Sequence, residues 1–174
     1  MSNAPELAPS ITVFKGDRSK LKSKVNLLER IQPDYYQSEV DSIYRQSWLP
    51  VTSTKEIPEK GDFIVVDVPP LKASLIVVRG QDNQVRAFYN ICRHRANKLE
   101  LDERGNKRLF NCPFHAWSFN TEGKLSGVTD EPQFPGLDRS EHDLIPVHTE
   151  VWETFVFVNF AKVPKESLAQ WLGV

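Results

Sequence analysis

Four side chains that commonly bind metals lie in two short segments near the middle of the chain. The first segment is Cys92-Arg93-His94 and the second is Cys112-Pro113-Phe114-His115. The spacing is therefore C-x-H, then seventeen residues, then C-x-x-H. Each segment offers one thiolate and one imidazole, a donor set that suits zinc or an iron–sulfur cluster and not magnesium or calcium. We therefore predict a metal centre bound by Cys92, His94, Cys112 and His115.

The presence of both cysteine and histidine in each segment distinguishes between a zinc site and an iron–sulfur cluster. Structural zinc sites usually pair two cysteines in one segment and two histidines in another. In a Rieske-type [2Fe–2S] centre, two cysteines bind one iron and two histidines bind the other. Two segments that meet from opposite sides can meet this requirement, because residues two apart in an extended segment project to the same side. The pattern favours the [2Fe–2S] cluster, and zinc remains the alternative.

A disulfide between Cys92 and Cys112 is the weakest of the three possibilities. The chain has only these two cysteines, and its first residues show no basic stretch followed by an apolar run, as a secretory signal requires. We therefore expect a cytoplasmic, reducing location with metal-bound thiolates. A cluster with two neutral imidazole ligands has a potential of roughly −150 to +300 mV, so the expected chemistry is one-electron transfer.

The elements that position the two segments are predicted to be short antiparallel strands. From Trp48 onward, short apolar runs alternate with turn residues, which is typical of hairpins. Before them, Asp34 followed by Gln37 resembles a capping box and predicts a helix from about Asp34 to Ser47. Pro164 is taken as the first residue of a short helix in the tail. The predicted strands cover residues 63–68, 75–78, 85–90, 109–111, 117–120 and one long strand at 150–160.

The same patterns suggest four parts along the 174 residues. Residues 1–30 are predicted to be an N-terminal arm, and residues 31–47 a helical segment that leads into the body. Residues 48–161 form the metal-binding β domain, and residues 162–174 an exit segment. The fold class is therefore mainly β, with an N-terminal helix and a short C-terminal helix.

Charge and hydropathy exclude several classes of partner. Lys and Arg total 22 and Asp and Glu total 23, for a net charge of −1. This balance gives no reason to expect nucleic acid or an anionic membrane as a partner. The longest apolar runs, such as 155–158, are too short to span a bilayer. We expect neither a nucleic-acid nor a membrane function.

The motifs resemble the N-terminal domain of Rieske non-heme iron oxygenases, the large subunits of aromatic-ring-hydroxylating dioxygenases and their relatives. The resemblance rests on residues 90–99, 111–119 and 123–125, and extends over about residues 31–172. Two departures from the family pattern are small. Ala96 and Ala116 stand where the family usually has glycine, and Phe114 stands where tyrosine is common. They affect loop geometry and one hydroxyl hydrogen bond.

The resemblance implies a Rieske-type fold of small antiparallel sheets with two cluster-binding hairpin loops. It implies one [2Fe–2S] cluster, a ferredoxin or flavoprotein reductase as electron donor, and a mononuclear-iron oxygenase domain as acceptor. Homo-oligomers are common among these enzymes. A stand-alone Rieske ferredoxin-type carrier is the alternative.

The family's catalytic iron site has no counterpart in this chain by our interpretation. That site uses two histidines and a carboxylate, and the remaining histidines here are His142 and His148. With Asp138 they have the composition of such a triad, but they lie within the small β domain, where no substrate cavity is expected. We predict that His142 and His148 are solvated and that mononuclear Fe(II) is not bound. The chain is then an oxidoreductase component without an oxygenase active site.

Overall fold

The computed structural model describes residues 27–174, and residues 1–26 of the predicted arm lie outside that range. The described part begins with two helices, α1 (Leu27–Arg30) and α2 (Pro33–Glu39). A π-helical turn at Val40–Tyr44 follows α2, closed by a hydrogen bond from the Arg45 amide to the Val40 carbonyl. Residues 27–30, predicted as arm, therefore form a helical turn.

The predicted capping box at the start of this helix is wrong. The helix begins at Pro33, with Gln32 as its N-cap. Proline suits the first helical position because the missing amide would have no partner there, so the helix starts one residue before the proposed Asp34 cap. The Gln37 side chain donates a hydrogen bond to Asp41 instead of to the backbone.

The described residues contain ten strands in two antiparallel sheets. The large sheet has the order β1-β10-β9-β4-β3-β2-β5, and the small sheet has the order β6-β7-β8. Hairpins account for most neighbours, as the turn residues indicated. The strands are β1 (Leu49–Ser53), β2 (Asp62–Val68), β3 (Ala73–Arg79), β4 (Val85–Tyr89), β5 (Arg104–Asn106), β6 (Leu109–Asn111), β7 (Ser118–Asn120), β8 (Leu125–Gly127), β9 (Pro146–Trp152) and β10 (Phe155–Asn159).

The long strand predicted at 150–160 is in fact a hairpin. Trp152 at the end of β9 pairs with Phe155 at the start of β10, and Glu153 between them has a φ of +52°. The sequence contains no glycine or asparagine at this turn, so the usual signal for a tight hairpin is missing. Strands β1 and β5 were also not predicted, because neither shows a clear alternation of apolar and polar residues.

The chain ends in a short helix, α3 (Leu168–Leu172), that begins later than predicted. Ser167 is the N-cap, and Ser167 and Gln170 form a capping box, so Pro164 is not its first residue. Leu168 packs against Trp48 and Phe157, and the Trp48 indole donates a 3.1 Å hydrogen bond to the Glu166 carbonyl. These contacts attach the exit segment to the large sheet.

Strand β3 is buried on both faces and therefore separates two cores. Ile76 and Val78 face the core that contains the cysteines, while Leu75 and Val77 face the opposite core. The alternation follows from the two-residue period of a strand. Each buried aliphatic side chain contributes about 1.5–3 kcal/mol relative to an exposed one. The small sheet joins the first core through Phe110, Phe119 and Leu125.

The architecture confirms the predicted fold class. It is mainly β, with antiparallel sheets, an N-terminal helix and a short C-terminal helix. Phe63 of the large sheet meets Phe110 of the small sheet edge to face, with ring centroids 5.3 Å apart. This contact holds the small sheet, and with it the second metal-binding segment, against the body.

Candidate metal centre

The two predicted ligand segments adopt the same backbone turn. In loop 1, residues 92–97, the Cys92 amide donates to the Asn97 carbonyl at 2.8 Å, and the Ala96 amide donates to the Cys92 carbonyl at 2.9 Å. Loop 2, residues 112–117, has the same two bonds at the same distances, from Cys112 to Trp117 and from Ala116 to Cys112. The expectation of extended segments is therefore wrong, because both cysteines open tight turns.

Both turns contain an alanine in the left-handed conformation. The φ angles are +57° at Ala96 and +56° at Ala116. Each alanine occupies the same place, four residues after the cysteine. A side chain in this region costs roughly 1–2 kcal/mol, whereas glycine has no such penalty. The turn geometry therefore explains why a glycine is favoured at the two positions where this chain departs from the family pattern.

The side chain of Asn90, which precedes loop 1, forms hydrogen bonds with the backbone that follows the loop. Its side chain is 1% exposed, and its Oδ1 accepts hydrogen bonds from the amides of Leu99 at 3.1 Å and Glu100 at 2.7 Å. Its Nδ2 donates to the Glu100 carbonyl at 2.9 Å. The sequence analysis did not identify this residue, since a single asparagine after a strand is the usual composition of a turn.

The thiols lie inside the protein and meet across the two loops. Cys92 is 1% exposed and Cys112 is 3% exposed, and neither forms a disulfide. Burial, opposed by a hydrogen bond from the His94 amide and reinforced by the adjacent Cys112 thiol, raises the pKa of the Cys92 thiol to about 11. Without a cation the Cys92 thiol is therefore protonated at neutral pH, and metal binding must release its proton.

The two imidazoles form a second pair that lies nearer the surface. The rings of His94 and His115 are 4.7 Å apart between centroids, at an interplanar angle of 71°. Nδ1 of His94 is buried and has no hydrogen-bond partner among the described residues. Burial lowers the pKa of His94, and His115 and Arg95 lower it further by charge repulsion. The ring is therefore biased toward the neutral form, which is the form that binds metals.

This arrangement fits a two-iron cluster. Each pair of like donors takes one member from loop 1 and one from loop 2, as a centre with two cysteines on one iron and two histidines on the other requires. An orphaned buried nitrogen on His94 is the state expected of a ligand atom. Within residues 27–174, no three His, Cys, Asp or Glu side chains are grouped in a way that could hold a metal ion. This finding is compatible with a two-iron cluster, because each iron takes only two protein ligands and the four donors need not converge on one point.

Aromatic side chains enclose the two imidazoles unequally. Trp117, which is 2% exposed, stacks on His94 with centroids 4.7 Å apart and planes 11° apart. Phe134 meets the edges of both His94 and Trp117 at 5.6 Å. His115 contacts Phe114, which is 61% exposed. Phe134 was not predicted, because it is a single aromatic residue in an irregular loop without periodicity.

The other two histidines lie apart from the four donors. His142 is half-buried, with its ring 5.7 Å from Trp117 between centroids and its Nδ1 2.9 Å from the Asp138 carbonyl. The prediction that His142 is solvated is therefore wrong. It was based on the charged residues around His142, which give no indication of its contact with Trp117. His148 is exposed, as expected, and its Nε2 lies 3.3 Å from the Lys162 carbonyl.

Comparison with known proteins gives consistent matches. A family model described as the Rieske [2Fe-2S] domain matches residues 47–148. The carnitine monooxygenase oxygenase subunit of Escherichia coli strain K12 is 32% identical over 124 residues, which cover 71% of this chain and 33% of that protein. The glycine betaine monooxygenase oxygenase subunit of Pseudomonas aeruginosa is 30% identical over 155 residues, covering 86% of this chain and 35% of that protein.

Solved structures agree with these relatives. The crystal structure of naphthalene 1,2-dioxygenase from a Rhodococcus species, bound to indole, superposes with a TM-score of 0.76 at 28% identity. The match covers 82% of this chain and 32% of that one. The chain thus spans about a third of the length of the curated relatives it matches. No helix among residues 27–174 is long and apolar enough to cross a membrane.

Proposed function

Because this chain belongs to the Rieske [2Fe-2S] domain family, we propose that it transfers single electrons through a cluster bound by Cys92, His94, Cys112 and His115. The observation that supports the proposal most strongly is the cross-loop pairing of like donors. The buried thiols contact each other, and the two imidazoles are 4.7 Å apart between centroids. When bound, the cluster supplies a one-electron couple at roughly −150 to +300 mV.

The cysteines and the histidines have different roles: the cysteines supply negative ligands, and the neutral histidines make addition of an electron easier. Cys92 and Cys112 place negative thiolates in the core, where burial excludes water from the sulfurs. His94 and His115 replace two further thiolates with neutral rings, so an added electron meets less repulsion. Trp117 covers one face of His94 and fixes its orientation. Both imidazoles reach toward the surface, so a redox partner can approach them closely.

The chain's wider role is that of the electron relay of a Rieske oxygenase. The relatives that match it are named as oxygenase subunits, and its fold superposes on that of a dioxygenase. In this role Cys92, His94, Cys112 and His115 would hold a cluster that supplies a one-electron couple between a ferredoxin or flavoprotein reductase and a mononuclear iron centre. His142 and His148 do not supply that centre in our proposal, because the first packs against Trp117 and the second contacts the Lys162 carbonyl.

Metal and sulfide analysis tests the proposal directly. The protein is purified without oxygen, and its iron, zinc and acid-labile sulfide are measured together with its electron paramagnetic resonance spectrum after reduction. We expect two irons and two sulfides per chain and a signal that appears only in the reduced state. Zinc without sulfide would establish the alternative of a structural zinc site and remove the electron-transfer function.

A further inference from the structure

The exposed arginine beside His94 differs from most other arginines of the described region. Arg95 and Arg108 have no carboxylate, carbonyl or ring partner among residues 27–174. Four other arginines form ion pairs, and three contact carbonyls or a ring. The pairs are Arg45–Asp41, Arg86–Asp82, Arg104–Glu56 and Arg139–Glu131, and the remaining contacts join Arg79 to Ile57 and Asn83, Arg93 to Glu141, and Arg30 to Tyr35.

The two sequence segments that contain the proposed ligands carry charge of one sign. Residues 90–99 and 107–117 contain five lysines and arginines and no aspartate or glutamate, whereas the whole chain has a net charge of −1. The rest of the chain is therefore net acidic. Lys107 is neutralised by Glu100 at 2.6 Å. Lys98 lines a separate depression that also contains Asp67 and Glu103. Of the unpaired arginines among residues 27–174, Arg95 is the one that lines the cavity beside the imidazoles.

An exposed aromatic ring also lies beside the imidazoles. Phe114 is 61% exposed although its ring lies against His115, with centroids 3.9 Å apart. Arg95, Phe114 and both histidines line one open cavity of about 510 Å³. Asp130 is the one carboxylate among its lining residues. The surface nearest the imidazoles therefore combines an unpaired guanidinium with an exposed apolar ring.

We propose that Arg95 and Phe114 form the docking surface for an electron-donor protein whose contact surface is acidic. This inference rests on the proposed electron-transfer function. A carboxylate of the donor pairs with Arg95, and Phe114 gives an apolar contact that brings the donor against the imidazoles. A donor must bind and leave once for each electron, and one steering charge with a small apolar contact suits such a transient encounter.

The experiment measures reduction of the cluster-loaded full chain by a reduced plant-type [2Fe–2S] ferredoxin, an acidic donor whose potential lies below that of a Rieske centre. Stopped-flow absorbance gives the second-order rate constant at about 20 mM and about 500 mM salt, where screening differs strongly. Calorimetry with oxidised ferredoxin gives the affinity independently of turnover. Arg45→Glu is the matched control, since Arg45 is an exposed arginine on the N-terminal helical segment.

At low salt, Arg95→Glu should lower both the rate constant and the affinity about twenty-fold, while Arg45→Glu changes them less than about two-fold. At high salt the difference between the two variants should largely disappear. Phe114→Ala should weaken binding about three-fold at both salt concentrations, because an apolar contact is not screened.

Three outcomes overturn the docking surface. Equal effects of Arg95→Glu and Arg45→Glu would show that charge at the cluster loops is irrelevant. An equal loss of rate with photoreduced deazaflavin, a small neutral reductant, would show that Arg95 acts on the cluster itself. A dimer in sedimentation that Arg95→Glu dissociates would assign the surface to a second copy of the chain. Absence of a cluster in the unaltered protein would instead refute the electron-transfer function, and the iron and sulfide assay reports this separately.

Discussion

Loops 1 and 2 share one backbone turn but give their histidines different surroundings. The amide and carbonyl of Cys92 and of Cys112 make the same two hydrogen bonds, and each loop has an alanine at positive φ. The ring of His94 is enclosed by Trp117 and Phe134, whereas His115 has the exposed Phe114 as its aromatic neighbour. The backbone thus places the thiols equivalently, and the side chains make the imidazoles unequal.

The largest effect should come from the positions at which the loops are equivalent. We expect Cys92→Ser and Cys112→Ser each to lower iron and sulfide content at least about ten-fold, because a serine oxygen is a poor ligand for iron in such a cluster. Iron and acid-labile sulfide are measured per folded chain, with circular dichroism as the control for folding. Unchanged iron content in either variant would contradict the ligand assignment.

A large change of potential should follow when an imidazole is replaced by a thiolate. In His94→Cys, a cluster that still assembles carries one more negative charge, so we expect its potential to fall by roughly 200 mV or more. Protein-film voltammetry gives the value. His115→Cys serves as the matched variant in loop 2. A potential that does not fall in either variant would remove the histidines from the ligand set.

The aromatic neighbours of the two rings should differ in their importance for stability. Trp117→Leu should lower the free energy of unfolding by about 3 kcal/mol, because it leaves a cavity in the core. Phe114→Leu should change it by less than about 0.5 kcal/mol, because the ring is on the surface. Urea unfolding measures both values. Similar losses for the two variants would mean that the loops are not packed differently.

The positive φ angle that the two loops share, at Ala96 and Ala116, can be tested by substitution with glycine. Ala96→Gly and Ala116→Gly should each stabilise the fold by about 0.5 kcal/mol, since relief of the strained φ outweighs the greater entropy of an unfolded glycine. Ala169→Gly in α3 is the control and should destabilise by about 0.5–1 kcal/mol. Thermal unfolding distinguishes the signs. Destabilisation by all three substitutions would show that the turns are not strained.

The smallest expected effect is on acid stability and involves Asp143, the neighbour of His142 in the chain. Burial acts to raise the pKa of Asp143, but hydrogen bonds from Lys124 and from the Leu125 amide outweigh it, so the pKa lies below its ordinary value of 3.8. The carboxylate is then favoured in the folded state, and its stabilisation is complete above that value. It is lost as the pH falls below 3.8 through the lowered pKa.

In Asp143→Asn, the free energy of unfolding should therefore decrease less steeply between about pH 4 and pH 2 than in the unaltered protein. Urea unfolding at several pH values gives the slope. Asp143 is the residue next to His142 and anchors this segment to Lys124 and Leu125, so the variant should weaken the contact between His142 and Trp117, which near-ultraviolet circular dichroism reports. An unchanged slope would show that the Lys124 pair does not persist in solution.

The sequence predicted the proximity of the two cysteines and of the two histidines better than it predicted their surroundings. Cysteine and histidine within three or four residues of one another already share a turn, so local spacing is sufficient to group them. Most strands were predicted for a similar reason, because period-two alternation is a local signal. Phe134 and His142 reach the site from an irregular connection between β8 and β9, and no local pattern marks them. The β9–β10 turn was missed because Glu153 adopts a positive φ without glycine.

The near-complete enclosure of the two cysteines sets an order of events in the life of the protein. The cysteine residues are 1% and 3% exposed, which leaves little access for a carrier that delivers iron and sulfide. We therefore expect the proposed cluster to be loaded while the two turns are still open, before the final packing of Trp117. Delivery of the cofactor then competes with collapse of the core, and slow closure of the two turns favours the protein that has bound its cofactor.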